Sequence, residues 1–319
     1  MELTILNEHF KVVDTKEKIT IADSFVLREN KIGWGHGEAK LYIGQNNKNT
    51  RELFGGSGFS IPCFLLKKDL LQYLEDTKVE YLNPEQPYRI KDGLAELWLE
   101  RKTEVESLDD KIDFEISEQD QIAGPRVYVN SNDSAYELIR KMSLPNITYI
   151  SVVKLLNNSG VFQYYFRLFA DYFGEVEHPY SIKKEQEENS RMESDSIGKS
   201  RVGQSKYREE LLEQCPRCPI TLISDERILR ASHIKPWAKS SDFEKTDPYN
   251  GFMLTPTFDL LFDQGFMSFT NNKKTILSPF LTNMTYSKLN ISDNKTFSHL
   301  PVEGREEYLD YHRKNILKR

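Results

Sequence analysis

Four side chains in the last third of the chain are of the right types to hydrolyse a phosphate ester. His233 ends the short apolar run in ILRASHIKPW, Asn250 lies in DPYNG, and Asp259 and Asp263 lie four apart in LTPTFDLLFDQG. Hydrolysis of a phosphodiester needs a water deprotonated near phosphorus and charge stabilised on the leaving oxygen. A neutral imidazole, with a reference pKa of about 6.5, takes that proton at physiological pH. Two carboxylates spaced i, i+4 share one face of a helix, and a pair of hard oxygens suits Mg2+ or Mn2+. Each residue also has an ordinary reading. A lone histidine in a strand is usually structural, and an Asn before Gly is first a turn residue. Asp259 can merely favour a helix N-terminus, and Asp263 can close a turn before Gly265. The spacing of the set turns the reading towards chemistry.

Those residues need a strand to carry His233, a turn at Asn250 and a helix for the carboxylates, opening near Thr257 as a Thr cap. A helix-like run, SKYREELLEQC, precedes them, with Tyr207, Leu211 and Leu212 on one face. The order His233, Asn250, Asp259 resembles the HNH (ββα-metal) endonuclease superfamily. The run ASHIKPW…DPYNG…LTPTFDLLFDQG is similar to its restriction-endonuclease-like branch, and RVGQSKYREELLEQ resembles the helix leading into it. The resemblance spans roughly residues 199–270. It implies His233 as general base, Asn250 as the anchor of the loop behind it, and Asp259 as a ligand to one Mg2+ or Mn2+ ion. It departs from the family pattern twice. The third position is Asp259 rather than His, and Ser232 stands where an Asp or His often supplies a second ligand. Ser232 and Asp263 are the candidates to complete the shell. Arg201, Lys206, Arg208, Arg230 and Lys235 are candidate phosphate contacts, while Trp237 reads as packing.

The resemblance implies a metal-dependent DNA endonuclease of restriction or phage-defence type, with double-stranded DNA as partner and a homodimer as one route to double-strand cleavage. Two other readings stand beside it. One is a defence nuclease switched on by a ligand bound upstream; the other is a catalytically inactive DNA-binding module, a doubt fed by Ser232.

The 319 residues allow two domains with their own cores. The net charge of −6 argues against a strongly basic, non-specific nucleic-acid binder. The charge is uneven, though: residues 61–120 are acidic, and residues 181–319 are slightly basic. No apolar run approaches the roughly 20 residues that span a bilayer, and MELTILNEHFKVV carries no secretory pattern, so a cytoplasmic location is the expectation. Of the cysteines Cys63, Cys215 and Cys218, the last two form C-x-x-C. No second ligand pair follows at zinc spacing, so two buried cysteines in a turn are expected rather than structural zinc.

The expected fold class is α+β. Residues 1–175 form a mixed or mainly-β domain of unassigned fold that supplies target recognition, 176–198 a linker, and 199–319 the ββα-metal nuclease domain, closed by the helix GREEYLDYHRKNILKR. In the first domain, FKVVD, KITIADSFVL, EAKLYIG, LAELWLER (94–101), PRVYVN and ITYISVVKLL read as strands. LKKDLLQYLEDTKVEYL reads as a helix, as does SAYELIRKM with Ser134 as its cap. ESLDDKIDFEISEQDQ reads as a solvated loop or edge. The glycine-rich KIGWGHGEAK reads as tight turns or as a loop that approaches a phosphate closely, and its Trp34 is a candidate for stacking on DNA.

Overall fold

The computed structural model describes residues 1–90, 93–119, 124–170 and 197–319, with side chains of the last segment described from 206 onward. The chain divides into two compact units, Met1–Gly174 and Glu175–Arg319. The stretch read as a linker falls almost wholly outside the described residues.

The first unit is built on one eight-stranded sheet. In chain order its elements are β1 (Glu2–Ile5), β2 (Glu8–Thr20), β3 (Leu41–Gln45), α1 (Lys48–Phe54), β4 (Ser60–Leu66), α2 (Lys67–Leu82), α3 (Leu94–Glu106), β5 (Lys111–Glu118), β6 (Arg126–Asn130), α4 (Ser134–Met142), β7 (Thr148–Asn157) and β8 (Phe162–Ala170). The strand order is β1-β2-β7-β8-β4-β5-β6-β3, antiparallel throughout except where β4 meets β8. β7 and β8 are buried on both faces, so their sequences read as continuous β-branched and aromatic runs rather than alternations.

Local signals misled the reading at several points. Residues 94–101 are helical: Leu94, Trp98, Arg101 and Val105 are the buried positions, a spacing of 3.6 rather than 2. The acidic stretch after Glu106 is no edge, because β5 lies between β4 and β6 and points its acids outward between buried Phe114 and Ile116. Ser134 is the first residue inside α4, and Asp133 is its N-cap.

The glycine-rich loop between residues 31 and 40 leaves this unit from a fixed base. Asn30 is fully buried; its amide donates to the carbonyls of Lys141 and Ser143, and its oxygen accepts from Arg101.

The second unit holds α5 (Ile197–Gln214), β9 (Arg230–His233), α6 (Asp242–Thr246), β10 (Gly251–Leu254), α7 (Pro256–Asp263), β11 (Met267–Phe269), β12 (Thr275–Leu277), α8 (Asn283–Lys288) and α9 (Glu306–Asn315). β9 and β10 pair antiparallel with His233 opposite Gly251, and α7 follows directly, a ββα arrangement. Thr255 rather than Thr257 occupies the N-cap position of α7, and its side chain makes no capping hydrogen bond. Pro256 at its first position pre-sets φ where no N–H is required. The α+β class therefore holds: a large sheet unit is followed by a small ββα unit.

Candidate active site

β9 delivers His233 to the end of the hairpin, and the ring is held on three sides. Tyr207 of α5 stacks against it with centroids 4.4 Å apart, Trp237 meets it edge-on at 5.5 Å, and Nε2 lies 3.0 Å from the carbonyl of Lys245. A carbonyl only accepts, so Nε2 carries the proton and Nδ1 keeps its lone pair. Burial pushes the imidazole pKa below its ordinary value, which the Lys245 carbonyl partly offsets. The result is an oriented, neutral ring with one basic nitrogen.

Asn250 is fully buried and ties together the segment that supplies that carbonyl. Its Oδ1 accepts from the backbone N–H of Lys235 at 2.8 Å. Its Nδ2 donates to the carbonyl of Glu244 at 2.9 Å and to that of Lys235 at 3.2 Å. The backbone N–H of Asn250 also closes a turn onto Asp247, so the turn reading and the anchor reading describe the same residue. Gly251 is required for a different reason from a turn: a Cβ there would sit 2.1 Å from the Tyr207 hydroxyl, which donates to the Asn250 carbonyl.

α6, only five residues long, is fixed by a capping box between Ser241 and Glu244. Lys235 completes the clamp, with Nζ 2.7 Å from both oxygens of Glu244. The Lys235 ammonium is thus engaged within the protein.

α7 presents Asp259, which is buried, and Asp263, one turn on at the exposed end of the helix, side by side. Ser232 Oγ donates to Asp263 Oδ1 at 3.1 Å, and Arg230 Nη1 lies 3.5 Å from Asp259 Oδ2. Burial raises both carboxyl pKa values, and for Asp263 the charge of Asp259 adds to the effect. Ser232, Asp259 and Asp263 are therefore gathered at one place, with Arg230 at its rim. Among the described residues no cluster of three or more His, Cys, Asp or Glu side chains is placed to hold a metal. Two carboxylates that repel each other, with a hydroxyl beside them, nevertheless fit a hard divalent ion. Such an ion commonly takes only one or two protein carboxylates and completes its shell with water and substrate phosphate.

The remaining candidates are dispersed. Arg208 donates to the carbonyls of Leu229 and Glu226, and Lys206 lies exposed beside Glu210. The side chain of Arg201 lies outside the described residues. Trp34 belongs to the first unit. Cys215 and Cys218 are buried against β10 and the start of α7: the Met253 N–H donates to Cys215 Sγ, and Cys218 Sγ lies 4.0 Å from Thr255 Oγ1.

Residues 218–270 match the HNH endonuclease family model. The matched segment contains β9, α6, β10 and α7, and with them His233, Asn250, Asp259 and Asp263. The coarse activity this domain indicates is that of a nuclease. No curated protein matches the chain. Among the described residues no helix is long and apolar enough to cross a membrane.

Three groups at the site escaped the sequence reading. Tyr207 shares a helix face with Leu211 and Leu212 in the sequence, but nothing local announces that its ring packs on His233. Glu244 closes an S-x-x-E pattern with Ser241, a capping-box signal that the sequence reading did not use. The Lys245 carbonyl has no signature at all, since any residue supplies one.

Proposed function

We propose that the protein is a metal-dependent DNA endonuclease of restriction or phage-defence type, in which the second unit cuts and residues 1–175 recognise the target. The observation that carries this reading is His233, held as the Nε2–H tautomer with Nδ1 free, on the same ββα framework as the paired carboxylates of α7. In this mechanism Nδ1 of His233 accepts a proton from the attacking water. The Lys245 carbonyl steadies the imidazolium that forms, and Tyr207 and Trp237 keep the ring from rotating. Asn250 holds the loop behind the base. Asp259 and Asp263, with Ser232, would hold one Mg2+ or Mn2+ ion, which when bound polarises the scissile phosphate and stabilises the leaving oxygen. Arg230, half exposed, neutralises Asp259 and is placed to meet a phosphate beside the cut. Recognition is assigned to the first unit because a small nuclease module engages DNA mainly through its backbone.

The test is cleavage of unmodified and base-modified DNA with Mg2+, with Mn2+ and with EDTA. Parent protein should cut only with metal. His233→Ala should lose cutting while still binding DNA. Asp259→Asn and Asp263→Asn should remove the rise in Tm on adding Mn2+ while raising the metal-free Tm, because each substitution relieves the repulsion between the two carboxylates. Cleavage by His233→Ala at the parent rate refutes the assignment of the base.

A further inference from the structure

The glycine loop of the first unit displays the most exposed tryptophan side chain in the protein. Trp34 is 85% exposed, so it contributes little to the core. Its loop is nevertheless pinned. Asp23 accepts from the backbone N–H groups of Ile32 and Gly33, and Lys31 Nζ donates to the Gly35 carbonyl at 3.1 Å. Gly37 passes so close to Ser24 that a Cβ would lie 2.1 Å from its carbonyl oxygen. Gly35, by contrast, stands in open space. The tip is held from below and free above.

Positive charge gathers at this tip. The Arg89 guanidinium lies over the indole at 4.9 Å, and its Nη2 reaches the Gly35 carbonyl at 3.5 Å. Its Nε is buried and, among the described residues, has no hydrogen-bond partner. Lys31 lies buried beneath the loop, 5% exposed. Among the described residues neither Lys31 nor Arg89 has a carboxylate partner, and the carboxylate of Asp23 is taken up by two backbone N–H groups. An indole with one face on a guanidinium and the other open, beside two basic groups that have no carboxylate partner among the described residues, suits a flat π-system attached to an anion.

We propose that Trp34 and Arg89 form a nucleotide-binding site, with a nucleobase stacked on the open indole face and its phosphate held by Arg89 over the charge of Lys31. The same chemistry is offered by a free mononucleotide and by an unpaired nucleotide in a DNA strand. The site gives the recognition role proposed for residues 1–175 a ligand class, and its test does not depend on DNA cleavage.

The experiment uses the full chain carrying His233→Ala, so that no probe is cut. Binding is measured by calorimetry with AMP, GMP, CMP and TMP, and by anisotropy with a labelled single strand and its duplex. Trp34→Ala and Arg89→Gln, each added to that background, should weaken binding about tenfold or more, with little change in Tm, because Trp34 is exposed and Arg89 is only partly buried. Trp34→Tyr should restore much of the affinity. Loss seen with mononucleotides identifies a free nucleotide as the ligand, whereas loss confined to the single strand or duplex identifies a base within DNA. If no probe binds, or if either variant binds every probe as tightly as its parent, the proposal fails.

Discussion

His233, the proposed base, shows how little of such a residue's chemistry lies in its own side chain. The imidazole is ordinary; its tautomer, orientation and basicity come from a backbone carbonyl, a tyrosine ring and burial. Because burial lowers the pKa, the ring is neutral at pH values where an exposed histidine would already be protonated. A base works only when neutral, so activity falls as pH drops through that lowered pKa. The acid limb of the cleavage rate against pH is therefore expected below the ordinary value of about 6.5. A limb centred above that value would mean that another group limits the rate. Asn250 makes the complementary point. Its role needs an acceptor and a donor on one short side chain, which is why Asp, able only to accept when ionised, would not replace it.

At the scale of elements, α6 is the shortest α-helix among the described residues, yet it carries the carbonyl that orients the His233 ring. Its five residues cannot hold a helix by their own hydrogen bonds. The capping box and the Lys235–Glu244 pair supply what its length lacks. Glu244→Ala removes both. It should cost about 1 kcal/mol of stability as a lost cap, but reduce kcat roughly 10- to 100-fold as the Lys245 carbonyl shifts, with little change in KM. Steady-state kinetics beside a urea melt checks this; a fall in rate no greater than the loss of stability predicts would leave α6 a merely structural element.

At the scale of the molecule, each unit carries its own buried core, and the second is closed by α9. His312 of that helix stacks on Phe262 with centroids 3.9 Å apart; Nδ1 lies 3.0 Å from Ser268 Oγ and Nε2 lies 3.1 Å from the Phe262 carbonyl. Burial pushes its pKa down to about 4. The unfolded chain binds a proton near pH 6.5, whereas the folded unit resists until about 4. This contribution is fully present above 6.5 and lost as pH falls through that window. It amounts to about 3 kcal/mol. Urea unfolding of the parent at pH 7 and pH 5 should show the loss, and His312→Gln should flatten it. In calorimetry that variant should lower the transition of the second unit and leave that of the first in place.

The sequence by itself determined which residues could do chemistry and their order along the chain. His233, Asn250, Asp259 and Asp263 were legible because an end-of-strand histidine, an Asn-Gly step and an i, i+4 carboxylate pair are local patterns. Local too were the helix 67–82 and the strands β2, β3, β6 and β7 of the first sheet. Residues 94–106 were misread because Leu94, Leu97 and Leu99 imitate an alternation; the helical period appears only once Trp98, Arg101 and Val105 are known to be buried. Tertiary structure alone decided what surrounds the base. Tyr207, the Lys245 carbonyl and the Asn250 amide reach His233 or its loop across 12 to 26 residues of chain. It also placed Arg89 on Trp34, two residues whose sequence neighbourhoods share no signal. Contacts that close over such separations depend on where helices and strands pack, and no periodicity in the intervening chain encodes that.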